Sequence, residues 1–194
     1  MKYRTILMFG APGSGKGTQG KILGTIPNYF HCACGDVFRG LRSDSEIGRI
    51  FVDYSSRGNL VPDETTVALW RESIAKSIAA GRFHPAEDIL VLDGIPRNVA
   101  QAENLSDALD VVAVFYLSCL NRKNLVTRLQ RRAIKENRLD DANLDVIHAR
   151  LKLYERETKP VLKFYGKKIV HGIDADKTPA QAFLDILKLV VKLR

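Results

Sequence analysis

The chain has 194 residues, of which 45% are hydrophobic, enough for the core of one α/β domain with insertions but not for two independent domains. Its net charge of +8 predicts an anionic partner without identifying it. Three cysteines exclude a disulfide framework, and we expect Cys32 and Cys34 to be buried free thiols rather than a redox pair. No apolar run approaches the roughly 20 residues that cross a bilayer, and residues 1–4 lead directly into the first predicted strand, so we expect a cytoplasmic protein.

A glycine-rich loop follows the first predicted strand, which covers residues 4–9. The loop has the sequence GAPGSGKGT over residues 10–18, which suits backbone N–H groups that turn toward one anion ahead of a helix beginning near Lys16. The spacing matches a phosphate-binding loop, except that Gly17 takes the usual Ser/Thr position and the hydroxyl follows at Thr18. The loop therefore predicts that a polyphosphate binds here.

The remaining strand signals are short and apolar on both faces, as in parallel strands that helices cover on both sides. They lie at residues 29–32, 89–92, 111–117 and 168–173, with helical patterns between them. Asp63 is expected to cap one of these helices, Gly166 to end the long helix before the last strand, and Pro179 to lie in the first turn of the final helix. This alternation predicts a doubly wound α/β sandwich.

Two segments interrupt the alternation. Residues 36–60 carry amphipathic helical spacing and predict a small helical insertion, whereas residues 132–143 are polar and charged, as in a mobile flap. The basic residues between Cys119 and Arg138 fit a solvated helix face, a nucleic-acid patch or a phosphate clamp. The phosphate loop upstream favours the clamp.

The third predicted strand ends in the sequence LDGIPR, residues 92–97, and Gln101 follows four residues later. Because ligands bind at the carboxyl ends of parallel strands, we expect Asp93, Arg97 and Gln101 to face the same crevice as Lys16. An acid beside a phosphate loop suits Mg²⁺, which prefers oxygen ligands and keeps most of its waters. We therefore expect Asp93 to hold water on the metal rather than to act as a general base, with a helix cap as the alternative.

Several further motifs occur in the order and spacing of one known family. They are GDVFR at residues 35–39, GNLVPDE at 58–64, DGIPR with Gln101, Arg128 with Arg132, Arg138 ahead of Asp140 and Asp141, and Arg150 with Tyr154. Together with the glycine loop, in which a glycine separates the lysine from the threonine, they cover nearly the whole chain. The sequence resembles an adenylate kinase of the nucleoside monophosphate kinase family, of the short-lid type.

The resemblance implies a three-layer α/β P-loop kinase fold with a five-stranded parallel sheet in a single domain, residues 1–194. Residues 34–63 would be the monophosphate-binding insertion, and residues 132–143 a short lid without a zinc site. The implied reaction is reversible, in-line transfer of the terminal phosphoryl group of MgATP to AMP in a closed site, giving two ADP. The implied cofactor is Mg²⁺, the partners are ATP and AMP without nucleic acid or membrane, and the protein is expected to be a monomer.

The resemblance also assigns roles to individual residues. Arg39 and Arg97 would grip the acceptor monophosphate, and Gln101 would read its base. The rest of the AMP site would be formed by Cys34, Asn59, Leu60, Val61, Gly94 and Ile95, with Arg138 and Arg150. ATP would be bound by Gly13, Ser14, Gly15, Lys16, Gly17, Thr18, Arg128, Arg132 and Gly172. Catalysis would involve Lys16, Arg97, Arg132, Arg138 and Arg150, the last two bridging both nucleotides at the transferred group.

The residue chemistry supports this assignment independently. Phosphoryl transfer spreads negative charge over oxygen atoms, which lysine and arginine donors stabilise. A monophosphate acceptor is already an anion and needs no base, whereas a hydroxyl acceptor would need one. Apart from Asp36, no spare acid lies between the loop and the acceptor segment. The sequence therefore favours a nucleotide over an alcohol as acceptor.

Two positions beside the acceptor base depart from the adenylate kinase pattern. Cys34 stands where the family usually has a threonine, and Ile95 stands where it usually has a phenylalanine. The spacing within residues 140–150 is also one residue longer than is common. The Gln101 amide can pair with adenine or with cytosine. We prefer AMP because Gln101, Val61 and the spacing resemble adenylate kinases, with a UMP/CMP kinase and a non-catalytic nucleotide-binding module as the alternatives.

Overall fold

A computed structural model describes residues 2–136, 138 and 141–193. Its strands are β1 (Tyr3–Gly10), β2 (Tyr29–Ala33), β3 (Ile89–Asp93), β4 (Leu109–Ser118) and β5 (Val170–Asp174). In the described part of the chain these five strands form one parallel sheet in the order β2-β3-β1-β4-β5. Each agrees with a predicted strand to within two residues at either end.

Helices connect the strands and lie on both faces of the sheet. They are α1 (Lys16–Leu23), α2 (Cys34–Arg39), α3 (Glu46–Ser56), α4 (Asp63–Ala79), α5 (Val99–Asn104), α6 (Arg122–Glu136), α7 (Leu144–Leu153), α8 (Val161–Tyr165) and α9 (Pro179–Val190), with a π-helical turn at Tyr154–Thr158. Among the described residues, no helix combines the length and apolarity that a membrane span requires.

Strand β1 shows how the sheet divides the core. Leu7 and Phe9 pack into one hydrophobic cluster, with side chains of α4, α5 and α8, whereas Ile6 and Met8 pack into a second cluster with α1 and α9. This division follows from the alternation of side chains along a strand. All four side chains are at most 3% exposed. The predicted three-layer α/β architecture is thus confirmed.

The helix ends agree with the predictions at two positions and differ at one. Gly166 ends α8 with φ 74°, and Pro179 opens α9 behind a capping box made by Thr178 and Gln181. The prediction that Asp63 caps a helix was wrong, because α4 has Pro62 at its N-cap and no side-chain cap. Asp63 is the first helical residue. Its carboxylate accepts hydrogen bonds from Asn98, in the loop after β3, and from Gln101 on α5 instead.

The two segments that interrupt the alternation are partly helical. Helices α2 and α3 lie within the predicted insertion, residues 34–63. Helix α6 continues to Glu136, so the first five residues of the predicted lid, residues 132–143, are helical. Residues 137, 139 and 140 of that segment lie outside the described residues. Asn143 then caps α7 by accepting a hydrogen bond from the Asp145 backbone N–H at 2.7 Å.

Candidate active site

A cleft of about 740 Å³ opens at the carboxyl ends of the strands. It is bordered by the glycine loop after β1, the insertion after β2, the loop after β3, helix α6 and the loop after β5. All strands of a parallel sheet end at the same edge, so these loops meet although they are distant in sequence. The volume is within the usual range of small-molecule sites.

Two glycines of the loop are required by its backbone. Gly10 has φ 145° and Gly13 has φ 82°, values that residues with side chains rarely adopt. A Cβ atom would lie 2.5 Å from the Leu117 carbonyl oxygen at Gly10, and 2.8 Å from the Leu125 carbonyl oxygen at Gly13. Helix α1 follows Gly15 without a side-chain cap, which leaves its first N–H groups suited to an anion.

Gly17 lies next to the carboxylate at the end of β3. A Cβ atom built at this position would lie 3.4 Å from Asp93 Oδ2, which is an ordinary contact distance. Thr18 follows on α1 and also lines the cleft. A half-buried carboxylate beside N–H groups that suit a phosphate fits a Mg²⁺ ion that takes most of its ligands from phosphate and water. In the described ranges, no cluster of three or more His, Cys, Asp or Glu could ligate a metal by itself.

Lys16 lies in the cleft, in surroundings that disfavour its charged form. Its Nζ donates a hydrogen bond to the Ala11 carbonyl oxygen at 3.2 Å. Burial, with smaller contributions from the nearby arginines, lowers the pKa of Lys16 to about 8, although Asp93 opposes the shift. A phosphate beside this lysine would stabilise its ammonium form.

The two arginines predicted to bind the acceptor phosphate are each held by a group close to them in sequence. The Arg97 Nε donates to the Gly94 carbonyl oxygen at 2.7 Å, which sets the direction of the guanidinium. Arg39 forms an ion pair with Asp36. Burial would raise the pKa of Asp36, but the hydrogen bond from Arg39 and the charges of Arg39 and Lys21 outweigh it and lower that pKa. Asp36 is therefore a partner of Arg39 and is poorly suited to act as a base.

Gln101 is almost completely buried where the insertion meets the loop after β3. It is 1% exposed, its Oε1 accepts from the Arg97 backbone N–H at 2.7 Å, and its Nε2 donates to Asp63 Oδ1 at 2.6 Å. Asn98, not Asp93, caps α5, because its side chain accepts from the Gln101 backbone N–H at 2.7 Å. The alternative role of Asp93 as a helix cap is thereby excluded.

The buried carboxylate of Asp141 lies beside three arginines that the sequence assigned to the site. It is fully buried, accepts from Arg132 Nε at 2.7 Å, pairs closely with Arg150, and lies 3.9 Å from Arg138 Nη1. Arg138 Nε is also 3.3 Å from Glu136 Oε2. The sequence motif contains Asp141 but does not assign it this role. An acid spaced between arginines of a phosphate site was the signal that could have identified it.

The loop after β5, rather than β5 itself, reaches the cleft. Gly172 is exposed within the strand and pairs with Tyr116, outside the cleft lining. Ala175 and Lys177 line the cleft, and the Ala175 carbonyl oxygen accepts from Arg128 Nη1 at 2.8 Å. The structure thus does not bring Gly172 together with the other residues assigned to ATP.

Cys34 and Ile95, the two departures from the family pattern, differ in their placement. Cys34 lines the cleft and is buried, which raises the pKa of its thiol to about 11 and keeps it neutral. Ile95 is 1% exposed and lies in the core, outside the cleft lining. Aromatic surface reaches the cleft from Phe38 and Phe51 instead, whose rings stack with centroids 5.1 Å apart.

All the other predicted site residues line the cleft. They are Gly13, Ser14, Gly15, Lys16, Gly17, Thr18, Arg39, Asn59, Leu60, Val61, Gly94, Arg97, Gln101, Arg128, Arg132, Arg138 and Arg150. Residues that the sequence motifs did not include also contribute, among them Lys21, Phe51 and Thr66. They lack a motif of their own, and only the packing of distant segments brings them here.

Comparison with known proteins agrees with this arrangement. A sequence model of the adenylate kinase family matches residues 8–170, from β1 to the start of β5. The chain belongs to the adenylate kinase family. Adenylate kinases with similar sequences come from Thermobifida fusca (37% identity over 88% of this chain and 89% of the relative) and Cyanothece sp. (34% over 97% and 96%). A third, from Parabacteroides distasonis, is 35% identical over 82% of this chain and 83% of its own length.

Membership of the adenylate kinase family makes the chain an enzyme of the nucleoside monophosphate kinase class. The glycine loop and the arginines around the cleft are the parts of the structure that suit this chemistry.

Proposed function

We propose that this enzyme transfers the terminal phosphoryl group of MgATP reversibly to AMP, giving two ADP. The observation that carries the proposal is one cleft with two sets of anion-binding groups. The glycine loop and Lys16 form the donor side, and Arg39 and Arg97 form the acceptor side. Arg138 and Arg150 also line this cleft, where they would bridge the two nucleotides.

The transfer itself requires positioning and charge stabilisation more than covalent chemistry. Lys16 would follow the phosphoryl group as it moves, and Arg132, Arg138 and Arg150 would stabilise the charge that spreads over its oxygen atoms. The planar guanidinium suits this role because it stays charged and binds phosphate through two parallel hydrogen bonds. The acceptor phosphate is already an anion, so the mechanism needs no general base.

Mg²⁺, bound with ATP, would neutralise phosphate charge and help to orient the phosphates. Asp93 would hold water on the metal, because its carboxylate lies beside Gly17 at the start of α1. Thr18 provides the hydroxyl next to the loop.

Water would compete with AMP as acceptor, so the cleft must exclude it before transfer. The arginines at the end of α6 and on α7 would approach the phosphates as the lid closes. Asp141 holds these arginines together near the cleft, so that they reach the nucleotides as one group. Lid closure in adenylate kinases is a well-known motion and is carried over to this chain by family.

AMP is the acceptor we propose, and CMP or UMP is the second candidate. The second candidate is favoured by Cys34, because a buried neutral thiol is a weak hydrogen-bond donor where the family usually has a hydroxyl. A coupled assay that supplies MgATP with AMP, CMP, UMP or GMP distinguishes them. Absence of ADP formation from AMP would contradict the main proposal, and faster turnover of CMP or UMP would favour the second.

The same assay tests the alternative that the protein is a non-catalytic nucleotide-binding module. Such a module would bind ATP without turnover with any acceptor.

We further propose that the enzyme acts as a monomer in the cytoplasm without nucleic acid or membrane partners. The support for a monomer is that one chain supplies both the donor-side and the acceptor-side anion-binding groups of the cleft. Light scattering at assay concentrations measures the oligomeric state.

A further inference from the structure

The amide group of Gln101 is held from both of its ends. The Arg97 backbone N–H donates to Oε1 at 2.7 Å, and Nε2 donates to Asp63 Oδ1 at 2.6 Å. A backbone N–H can only donate, and a carboxylate can only accept. Only one orientation of the Gln101 amide satisfies both partners, which fixes the positions of its oxygen and nitrogen atoms.

We propose that Asp63 is a specificity-determining residue, which locks the Gln101 amide so that it selects bases with an amino group over bases with an oxo group. The inference rests on the proposed function, in which Gln101 meets the base of the acceptor nucleotide. Asp63 acts through Gln101 and is a positioning residue, not a catalytic one.

The selection follows from the groups that remain on the amide. Each anchor uses one of two hydrogen atoms on Nε2, or one of two lone pairs on Oε1, so one donor and one acceptor remain side by side. Adenine and cytosine present an amino donor beside a ring-nitrogen acceptor. Hypoxanthine, guanine and uracil present a carbonyl acceptor beside a ring N–H donor, which is the reverse order. One amide orientation therefore pairs with only one of these classes in a given pose.

Reversing the amide is costly while Asp63 is present. The reversed amide would direct Oε1 at the Asp63 carboxylate and Nε2 at the Arg97 N–H, so that both hydrogen bonds are lost and like groups face each other. Gln101 is 1% exposed, so water cannot easily replace the lost partners. The locked amide thus rejects the oxo bases instead of adapting to them.

Asp63 is itself held in place. Asn98 Nδ2 donates to its two carboxylate oxygens at 3.0 and 2.9 Å, and the Asn98 side-chain oxygen accepts from the Gln101 backbone N–H. This network connects the start of α4 with the start of α5. The Asp63 carboxylate therefore has little freedom to turn away from Gln101.

The test compares AMP with IMP, which have the same size and differ at the 6-position and at N1 of the base. In Asp63→Asn, the new amide can donate or accept, so a reversed Gln101 keeps a partner at this position and loses only the hydrogen bond from the Arg97 backbone N–H. We expect the ratio of kcat/KM for IMP to that for AMP to rise about tenfold or more, as expected for the loss of one buried charge-assisted hydrogen bond. Glu64→Gln is the matched control, because it also removes a carboxylate from the first turn of α4 but Glu64 is exposed. Its ratio should equal that of the wild type.

A folded Asp63→Asn enzyme with the wild-type ratio would overturn the inference, as would equal losses with AMP and IMP, which indicate a purely structural role. Asp63→Ser places a hydroxyl that can also donate or accept, and it serves as the second variant if Asp63→Asn does not remain folded. Calorimetric titration with AMP and IMP gives the same ratio for binding. If the wild type makes no ADP from AMP, the proposed function fails; if it does and the ratio does not move, only this inference fails.

Discussion

Lys16 shows how single residues of the cleft are prepared for an anionic ligand. Its ammonium group is buried near Arg97, Arg132 and Arg150, and Asp93 compensates only in part, so its pKa falls to about 8. Desolvation and repulsion between like charges both disfavour the charged form. A bound phosphate supplies the opposite charge, so ligand binding and protonation of Lys16 are coupled.

Binding of MgATP should therefore take up protons at mildly alkaline pH. In the free enzyme the pKa of Lys16 is about 8, and a bound phosphate raises it, so at about pH 8.5 binding adds a substantial fraction of one proton. The uptake should decrease toward pH 7, where Lys16 is charged in both states. Calorimetry in buffers with different ionisation enthalpies measures it. Lys16→Met should bind without this uptake; equal uptake in both proteins would contradict the role of Lys16.

Arg97→Ala should weaken use of the acceptor severely. The variant removes a guanidinium that we place on the monophosphate, where charge-assisted hydrogen bonds contribute about 1.5–3 kcal/mol each, so KM for AMP should rise about 100-fold. KM for ATP should change much less. Arg71→Ala is the control, because Arg71 pairs with Asp107 on the surface outside the cleft. Unchanged kinetics with AMP would remove Arg97 from the acceptor site.

At the scale of elements, the loop between β1 and α1 depends on close contact with β4. The carbonyl oxygen of Leu117 in β4 leaves no room for a side chain at Gly10, whose φ is also unfavourable for other residues. The backbone therefore turns at Gly10, where β1 ends and the glycine-rich loop begins. Gly172 in β5 provides a contrast, since no atom lies within 4 Å of a Cβ atom built there.

Gly10→Ala should destabilise the enzyme by about 2–4 kcal/mol and lower its activity, because the new methyl group overlaps the Leu117 carbonyl oxygen. Gly172→Ala should change stability by no more than about 0.5 kcal/mol. Denaturant unfolding of both variants measures the difference. Similar stabilities of the two variants would contradict the steric argument at the loop.

At the scale of the whole molecule, the cleft concentrates positive charge from distant segments, in keeping with the net charge of +8. Asp141 offsets part of this charge, because its fully buried carboxylate meets Arg132, Arg138 and Arg150. Nucleotide phosphates would supply further negative charge to the same arginines. The stability of the molecule and its affinity for nucleotides should therefore depend on each other.

Asp141→Asn should lower the melting temperature, and MgATP should raise that of the variant more than that of the wild type. The substitution removes the negative charge that pairs with the three arginines. Because these partners are partly exposed, we expect the free energy of unfolding to fall by about 1–3 kcal/mol. Bound phosphates would restore negative charge beside the arginines and offset this loss. Asp107→Asn, which loses only a surface pair with Arg71, is the control. Thermal unfolding with and without MgATP measures the shifts. Equal shifts in all three proteins would show that Asp141 does not balance the arginine cluster.

The sequence by itself determined the alternation of strands and helices and the glycine-rich loop, and all but two of the residues that it assigned to the site line the cleft. The strands are apolar on both faces because helices cover both sides of the sheet, and the loop is rich in glycine because its backbone has positive φ values. Both features leave a pattern that can be recognised in a short window of sequence. Family motifs then located Arg39, Arg97 and Gln101 together.

Only the tertiary structure decided which groups meet. It buried Ile95 in the core, placed Gly172 outside the cleft, and turned Asp63 from the predicted helix cap toward Gln101, 38 residues away. It also surrounded Asp141 with arginines. A side chain takes its hydrogen-bond partners from whatever segments pack against it, and that packing is set by the whole sheet rather than by neighbouring sequence.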